Sequence, residues 1–125
     1  TMRGVSRSVA FVTPRVGADE SESDWAAAAL GADTAVLYMA AGQAGRLAAT
    51  LIAGGRAAAT PVVIVENASL PARRNWAMTL AELPGFAAAE LSGPAVILLG
   101  EPFRELCAHA PLEAAAFAEA IALPA

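Results

Sequence analysis

The run Pro61-Val62-Val63-Ile64-Val65-Glu66 constrains the fold more than any other stretch of the sequence. Its four consecutive β-branched residues favour an extended strand. Successive side chains of a strand point to opposite faces, so an unbroken apolar run must be covered on both sides. Such a strand lies inside a sheet with other layers packed on it. The run ends in Glu66-Asn67-Ala68-Ser69, and Leu70-Pro71-Ala72-Arg73-Arg74 follows. A carboxylate, an amide and a hydroxyl at the tip of a buried strand, with two guanidinium groups close behind, need an explanation.

The remaining sequence alternates short β-branched runs with longer alanine-leucine runs. Residues 8–13 (SVAFVT), 34–39 (TAVLYM) and 95–99 (AVILL) read as further strands. Asp24 is placed to N-cap a short helix over residues 25–30. Residues 43–54 carry apolar side chains at 47, 48, 51 and 52, one helical face, and end in glycine. Residues 76–80 fit a strand or a short helix equally. The tail, residues 101–123, reads as largely helical with a break near Pro111. Strands alternating with helices predict an α/β fold, and no internal repeat or linker divides the 125 residues.

Hydrophobic residues make up 57% of the sequence. Charges nevertheless interrupt every apolar run well short of the roughly 18 residues a spanning helix needs, so no membrane segment is expected. Much of the excess is alanine, which favours helix while adding little hydrophobic drive. The net charge of −4 argues against a nucleic-acid groove, which shows as a basic stripe. A single cysteine and the lack of an apolar leader near the start lead to the expectation of a cytoplasmic protein.

Ligands of open α/β sheets bind where loops leave the carboxyl ends of strands. Tyr38-Met39 and Glu66-Asn67-Ala68-Ser69 are such ends. Gly93-Pro94-Ala95 is a strand start, and it joins them only if its strand runs antiparallel or the preceding loop folds back. Neither a GxGxxG nor a GxxxxGK[ST] loop is present. With one Cys and one His, no protein-only zinc site of the usual kind can be built, so no metal is expected. Cys107 and His109 are two apart in an expected helix and point to different faces, which leaves Cys107 packed and His109 solvated. The acidic run 19–22 reads as an exposed loop.

The order and spacing of several short stretches resemble the C-terminal half of the tetrapyrrole (class III) methyltransferases, and within them the uroporphyrinogen-III C-methyltransferase branch. These stretches are Thr1-Met2-Arg3-Gly4, SVAFVT, Asp24-Trp25, TAVLYM, the helix ending LIAGGR, TPVVIVENAS with Arg74 five residues on, Thr79-Leu80 and GPAVILLGE. The departures are Ala40, where the family has glycine after the Tyr-Met pair, Met2 for a histidine, and Pro14-Arg15 for a Gly-His pair. The resemblance implies a single mixed β-sheet of about five strands with helices on its faces. It makes residues 1–125 the C-terminal subdomain of a two-domain enzyme whose N-terminal domain carries the glycine-rich cofactor loop, so this chain alone is expected to be inactive.

The implied cofactor is S-adenosyl-L-methionine, with S-adenosyl-L-homocysteine as product. The family contacts it largely through main-chain groups, which transfers a cofactor role to Met39, Ala68 and Ala95, with Asn67 bracing the loop through its side chain. Arg74, with Arg73, is implied either to face the many carboxylates of a uroporphyrinogen or to bond Glu66 within the domain. No catalytic base is nominated. The implied partners are a tetrapyrrole substrate, the N-terminal domain and a second copy in a homodimer. The alternatives are another methylase of the family, acting on a later precorrin, an RNA or a protein residue, or a non-catalytic α/β binding or dimerisation module.

Overall fold

The computed structural model of the chain describes residues 2–14, 24–86 and 88–108. Five strands form one mixed sheet: β1 (Val9–Val12), β2 (Thr34–Tyr38), β3 (Pro61–Glu66), β4 (Arg74–Thr79) and β5 (Ala95–Gly100). Their order across the sheet is β1-β2-β5-β3-β4. β1 and β2 are parallel, and helix α1 (Trp25–Gly31) lies between them in sequence. β3 and β4 form an antiparallel hairpin. β5 inserts between β2 and β3, antiparallel to both.

One face of the sheet is the core face. Ala35, Leu37, Val62, Ile64, Ile97 and Leu99 alternate onto it and pack with Trp25 and Ala29 of α1 and Leu47, Ala48 and Leu51 of α2 (Ala44–Ala53). Leu80 and Leu83, from the 3-10 turn Leu80–Gly85, close the same cluster. Each large side chain buried there contributes about 1.5–3 kcal/mol relative to exposure. Fully buried Ala29 and Ala48 give α1 and α2 small surfaces toward the core, which is one use of the alanine-rich composition. On the opposite face Val36 and Val63 are buried, while Phe11 and Tyr38 stack at 6.4 Å and stay exposed.

Of residues 76–80, ambiguous in sequence, 76–79 belong to the strand β4 and Leu80 opens the 3-10 turn that follows. Arg74, Trp76 and Met78 alternate with Asn75, Ala77 and Thr79, and pairing with β3 fixes the extended form. Thr79 and Glu82 then form a capping box at the following 3-10 turn. The structure also departs from expectation at Asp24. It occupies the N-cap position, but at φ −78°, ψ 34° it leaves the extended region a cap requires, and its side chain makes no cap bond. Its carbonyl instead accepts the Ala28 N–H at 3.1 Å.

Of the predicted helical tail, the described part is a 3-10 turn (Glu101–Phe103) and the short α3 (Arg104–Ala108), which contacts β3 and β4. The break at Pro111, His109 and the acidic run 19–22 lie outside the described residues. Among the described residues no helix is long and apolar enough to cross a membrane.

Candidate functional site

β5 runs against β2 and β3, so its start meets their carboxyl ends. Tyr38 pairs with Val96, and Glu66 pairs with Ala95. The three loci singled out in the sequence therefore converge on one edge of the sheet. The condition attached to Gly93-Pro94-Ala95 is met by strand direction alone.

A hollow of about 270 Å³ opens at this edge. Its walls are Tyr38 from β2, Asn67, Ala68 and Leu70 from the loop after β3, and Pro94 and Ala95 at the start of β5, with Val65 and Val96 between them. The volume falls just under the usual range for a small-molecule pocket, as fits one wall of a larger cleft. Ala68 and Ala95 sit in the wall, and Asn67 lines it too. Met39 follows Tyr38 at the rim and is not part of the lining. Val65, Leu70 and Val96 were not singled out in the sequence, because an apolar residue near a strand end reads as core there; Tyr38 and Pro94 were placed in candidate loci but given no role.

Backbone strain gathers at the same place. Among the described residues the non-glycine left-handed residues are Met39 (φ 54°), Asn67 (φ 52°) and Ser69 (φ 70°). Such conformations cost about 1–3 kcal/mol and cluster at ligand sites. Asn67 and Ser69 shape the hairpin loop: Leu70 N–H donates to Asn67 O at 3.0 Å, and Ser69 takes the positive φ that a type II turn asks of its third residue. Arg73 N–H then donates to Leu70 O at 3.0 Å, which returns the chain to β4. Asn67 braces the loop through its main chain rather than its side chain, its N–H donating to Pro94 O at 2.9 Å. Its side chain packs on Gly93, where an added β-carbon would fall 2.0 Å from Asn67 Oδ1. Ala68, at the tip, makes no main-chain hydrogen bond within the described residues. Ala40, which stands where the family has glycine, is buried at φ −113°, ψ −15°, a right-handed conformation open to alanine.

Glu66 explains the polar end of the apolar strand. It is fully buried, and both oxygens are engaged. Arg74 Nε donates to Oε1 at 2.7 Å, while the Ser92 and Gly93 amides donate to Oε2 at 2.6 and 3.2 Å. The Arg74 bond, supported by those two amides and opposed by burial, holds the Glu66 carboxyl below the usual carboxylate range. Arg74 in turn donates Nη2 to Glu90 O at 2.7 Å and lies 5.0 Å from the Trp76 ring centroid. Of the two readings open for Arg74, the structure shows the bond within the domain. Arg73, half-buried, ends the same loop. The bond between Glu66 and Arg74 was one of the readings open in the sequence, but the hairpin register Glu66↔Arg74 was not, because β4 could not be told from a helix there.

A second hollow, of about 330 Å³, lies at the other end of the sheet against Gly54, Arg56, Thr60 and Glu101. It is larger, but most of its groups are spent on structure, with the buried Arg56 Nε the exception. Gly54, Gly55 and Arg56 donate their amides to the last carbonyls of α2, and Arg56 Nη2 donates to Ala29 O and Ala32 O past the end of α1. Among the described residues no cluster of three or more His, Cys, Asp or Glu side chains is placed to hold a metal. Cys107 is packed, with Sγ 3.5 Å from Val62 O and 3.4 Å from Met78 O, and burial raises its pKa.

The chain is 41% identical over 101 residues to a uroporphyrinogen-III C-methyltransferase of Pseudomonas fluorescens, covering 80% of this chain and 40% of the relative. It is 37% identical over 102 residues to a siroheme synthase of Chromobacterium violaceum, covering 81% of this chain and 22% of that one. The uroporphyrin-III C-methyltransferase of Thermus thermophilus, solved in complex with S-adenosyl homocysteine, superimposes with a TM-score of 0.71 at 30% identity, over 84% of this chain and 47% of that one. The chain thus spans well under two thirds of these relatives. Residues 1–84 match the tetrapyrrole (corrin/porphyrin) methylases, and the chain belongs to that family.

Proposed function

We propose that this chain is the C-terminal subdomain of an enzyme that methylates uroporphyrinogen III at carbon, with S-adenosyl-L-methionine as donor, and that its hollow receives the adenosine end of the cofactor. The observation that carries the reading is the convergence of Met39, Asn67-Ala68 and Ala95 on one strained, small-residue edge. The named activity of the relatives and the S-adenosyl homocysteine held by the Thermus thermophilus enzyme support the choice of ligand. The identities of 41% and 37% favour the uroporphyrinogen branch over a later precorrin.

The residues present suit a nucleoside. Ala68 and Ala95 leave room for a flat base to approach the backbone, and the Ala68 peptide groups are available to hydrogen-bond its edge. Val65, Leu70, Pro94 and Val96 supply apolar surface that excludes water. The cofactor brings a methyl group already activated on a sulfonium. The protein therefore has to align donor and acceptor rather than generate a nucleophile, and no general base is assigned in this chain. A polycarboxylate substrate calls for guanidinium groups, and Arg73 at the end of the hairpin loop is the candidate. Arg74 supports that loop through Glu66 and Glu90. Catalysis requires an N-terminal domain with the glycine-rich cofactor loop, and the working assembly is a cytoplasmic homodimer.

The test is calorimetric titration of S-adenosylhomocysteine into this chain and into a longer chain that includes the sequence encoded upstream. Binding by the longer chain, lost in Ala68→Trp with folding retained, is the expected result. Two folded proteins that both fail to bind would sink the reading.

A further inference from the structure

Two walls of the hollow come from separate parts of the chain, the loop after β3 with Ala68 and the start of β5 with Ala95. The ladder between β3 and β5 sets their separation as far as the pair Glu66↔Ala95, and beyond that pair few contacts do. One is the 2.9 Å bond from Asn67 N–H to Pro94 O. Beyond the ladder, and besides the Asn67 side chain packed on Gly93, the others pass through Glu66, whose Oε2 holds the Ser92 and Gly93 amides and whose Oε1 takes Arg74 Nε. Arg74 extends the tie to Glu90 O, in the 3-10 turn (Ala88–Glu90) that leads into β5. One carboxylate thus links the last residue of β3, the first residue of β4 and the segment before β5.

We propose that Glu66 is a positioning residue for the cofactor: it fixes the gap between the Ala68 and Ala95 walls and thereby sets the affinity for the adenosine moiety. This rests on the methyltransferase reading above. Glu66 does not touch the ligand space. Side chains alternate along β3, and Val65, its neighbour, is the one that lines the hollow. Its influence passes through the main chain of Asn67 on one side and of Ser92 and Gly93 on the other.

The chemistry requires a carboxylate. Three N–H donors arrive, one at Oε1 and two at Oε2, and two acceptor oxygens receive them all. A glutamine of the same shape sets its NH₂ against either the guanidinium or the two amides, donor against donor. The charged groups around the carboxylate are Arg74 on β4 and, across Arg74, Glu90; the segment before β5 presents only main-chain amides. Nothing else in this cluster can replace the acceptor. The tie is also short of slack, because Gly93 is closed in by the Asn67 side chain. Misplacement of a binding group by about 1 Å lowers activity on the order of 100-fold, so a modest spread of the two walls has a large effect.

The experiment uses the longer chain and compares wild type with Glu66→Gln by titration of S-adenosylhomocysteine and by amide hydrogen exchange. The expected result for Glu66→Gln is faster exchange at Ser92 and Gly93, retained protection at Ile64 in the middle of β3, and a dissociation constant raised on the order of 10- to 100-fold. A purely structural role would lower the melting temperature without this local pattern and without a change in affinity below the transition. If Glu66→Gln also loses protection at Ile64, Ser92→Pro takes its place. It removes one amide donor while sparing the carboxylate and Arg74, and it is expected to weaken binding in the same direction. Unchanged affinity in whichever of these variants folds overturns the proposal. Failure of the wild type itself to bind overturns the methyltransferase reading beneath it, and this role with it.

Discussion

The two ends of the sheet carry hollows of similar size and opposite character. At the end where β5 finishes, most polar groups are matched and closed in, Arg56 Nε excepted. Ser6 Oγ and Thr34 Oγ1 lie 2.8 Å apart and both are buried, Arg7 N–H donates to Asp33 Oδ2 at 2.8 Å, and Arg56 satisfies carbonyls past the end of α1. At the end where β5 begins, three non-glycine residues hold positive φ, and Tyr38, Met39 and Leu70 are left exposed. The larger hollow belongs to the satisfied end. Size is thus a poor guide here. Unspent main-chain groups and stored strain separate a site from a seam between packed elements.

The sharpest way to break this contrast is substitution at the strained end. Ala68→Trp fills the hollow from an exposed loop, so it is expected to abolish S-adenosylhomocysteine binding by the longer chain while leaving the melting temperature nearly unchanged. A large loss of stability would show that the loop is part of the core rather than a site. The counterpart at the satisfied end is Arg56→Met. Hydrogen bonds from a charged group contribute about 1.5–3 kcal/mol each, so chemical denaturation is expected to report a loss of about 2–3 kcal/mol. Cofactor affinity is expected to stay the same. An effect of Arg56→Met on affinity would mean that the two ends are coupled through the sheet.

The sequence made one end far more legible than the other. β3 was plain because four β-branched residues favour one reading, and its end and that of β2 marked loci for a ligand; the cofactor roles of Met39, Asn67 and Ala68 came from the family resemblance. β4 could not be read, since Arg74, Trp76 and Met78 alternate with a buried asparagine, Asn75, and only pairing with β3 makes the segment extended. The place of β5 between β2 and β3 is a long-range property, which left Ala95 conditional until strand direction was known. The grip of Glu66 on Ser92 and Gly93 spans 26 and 27 residues, so nothing local announced it. Val65, Leu70 and Val96 were overlooked because a lining residue and a core residue have the same composition.

The Glu66 tie gives a smaller and more local contrast, readable in pH. Its carboxyl pKa is lowered in the folded chain, chiefly by the Arg74 hydrogen bond. A depressed carboxylate stabilises the fold fully above its unfolded pKa, and that contribution is lost as pH falls through the lower folded value. Once corrected for the intrinsic pH dependence of exchange, protection of the Ser92 and Gly93 amides is therefore expected to be flat through neutrality. It should decline only in the acid range, below the ordinary glutamate value. The Thr34 amide, which donates to the Ser8 carbonyl at the other end of the sheet, serves as the internal reference. Loss of Ser92 and Gly93 protection already near neutral pH would show that Arg74 does not hold the carboxylate in solution.

The smallest effect is expected at Met39, where strain and exposure meet. The residue is 65% exposed, so deletion of its side chain removes little packing, while its φ of 54° is one that glycine adopts freely. Relief of a left-handed residue returns about 1–2 kcal/mol, and the greater freedom of glycine in the unfolded chain takes back about 0.5–1 kcal/mol. Met39→Gly is therefore expected to raise stability by about half a kcal/mol in chemical denaturation. The same change loosens the backbone at the rim of the hollow, so affinity for S-adenosylhomocysteine is expected to fall as stability rises. The same strain would then oppose folding and favour binding. If Met39→Gly gains stability with affinity intact, the strain at this position is incidental, and the distinction between the two ends rests on Asn67 and Ser69 alone.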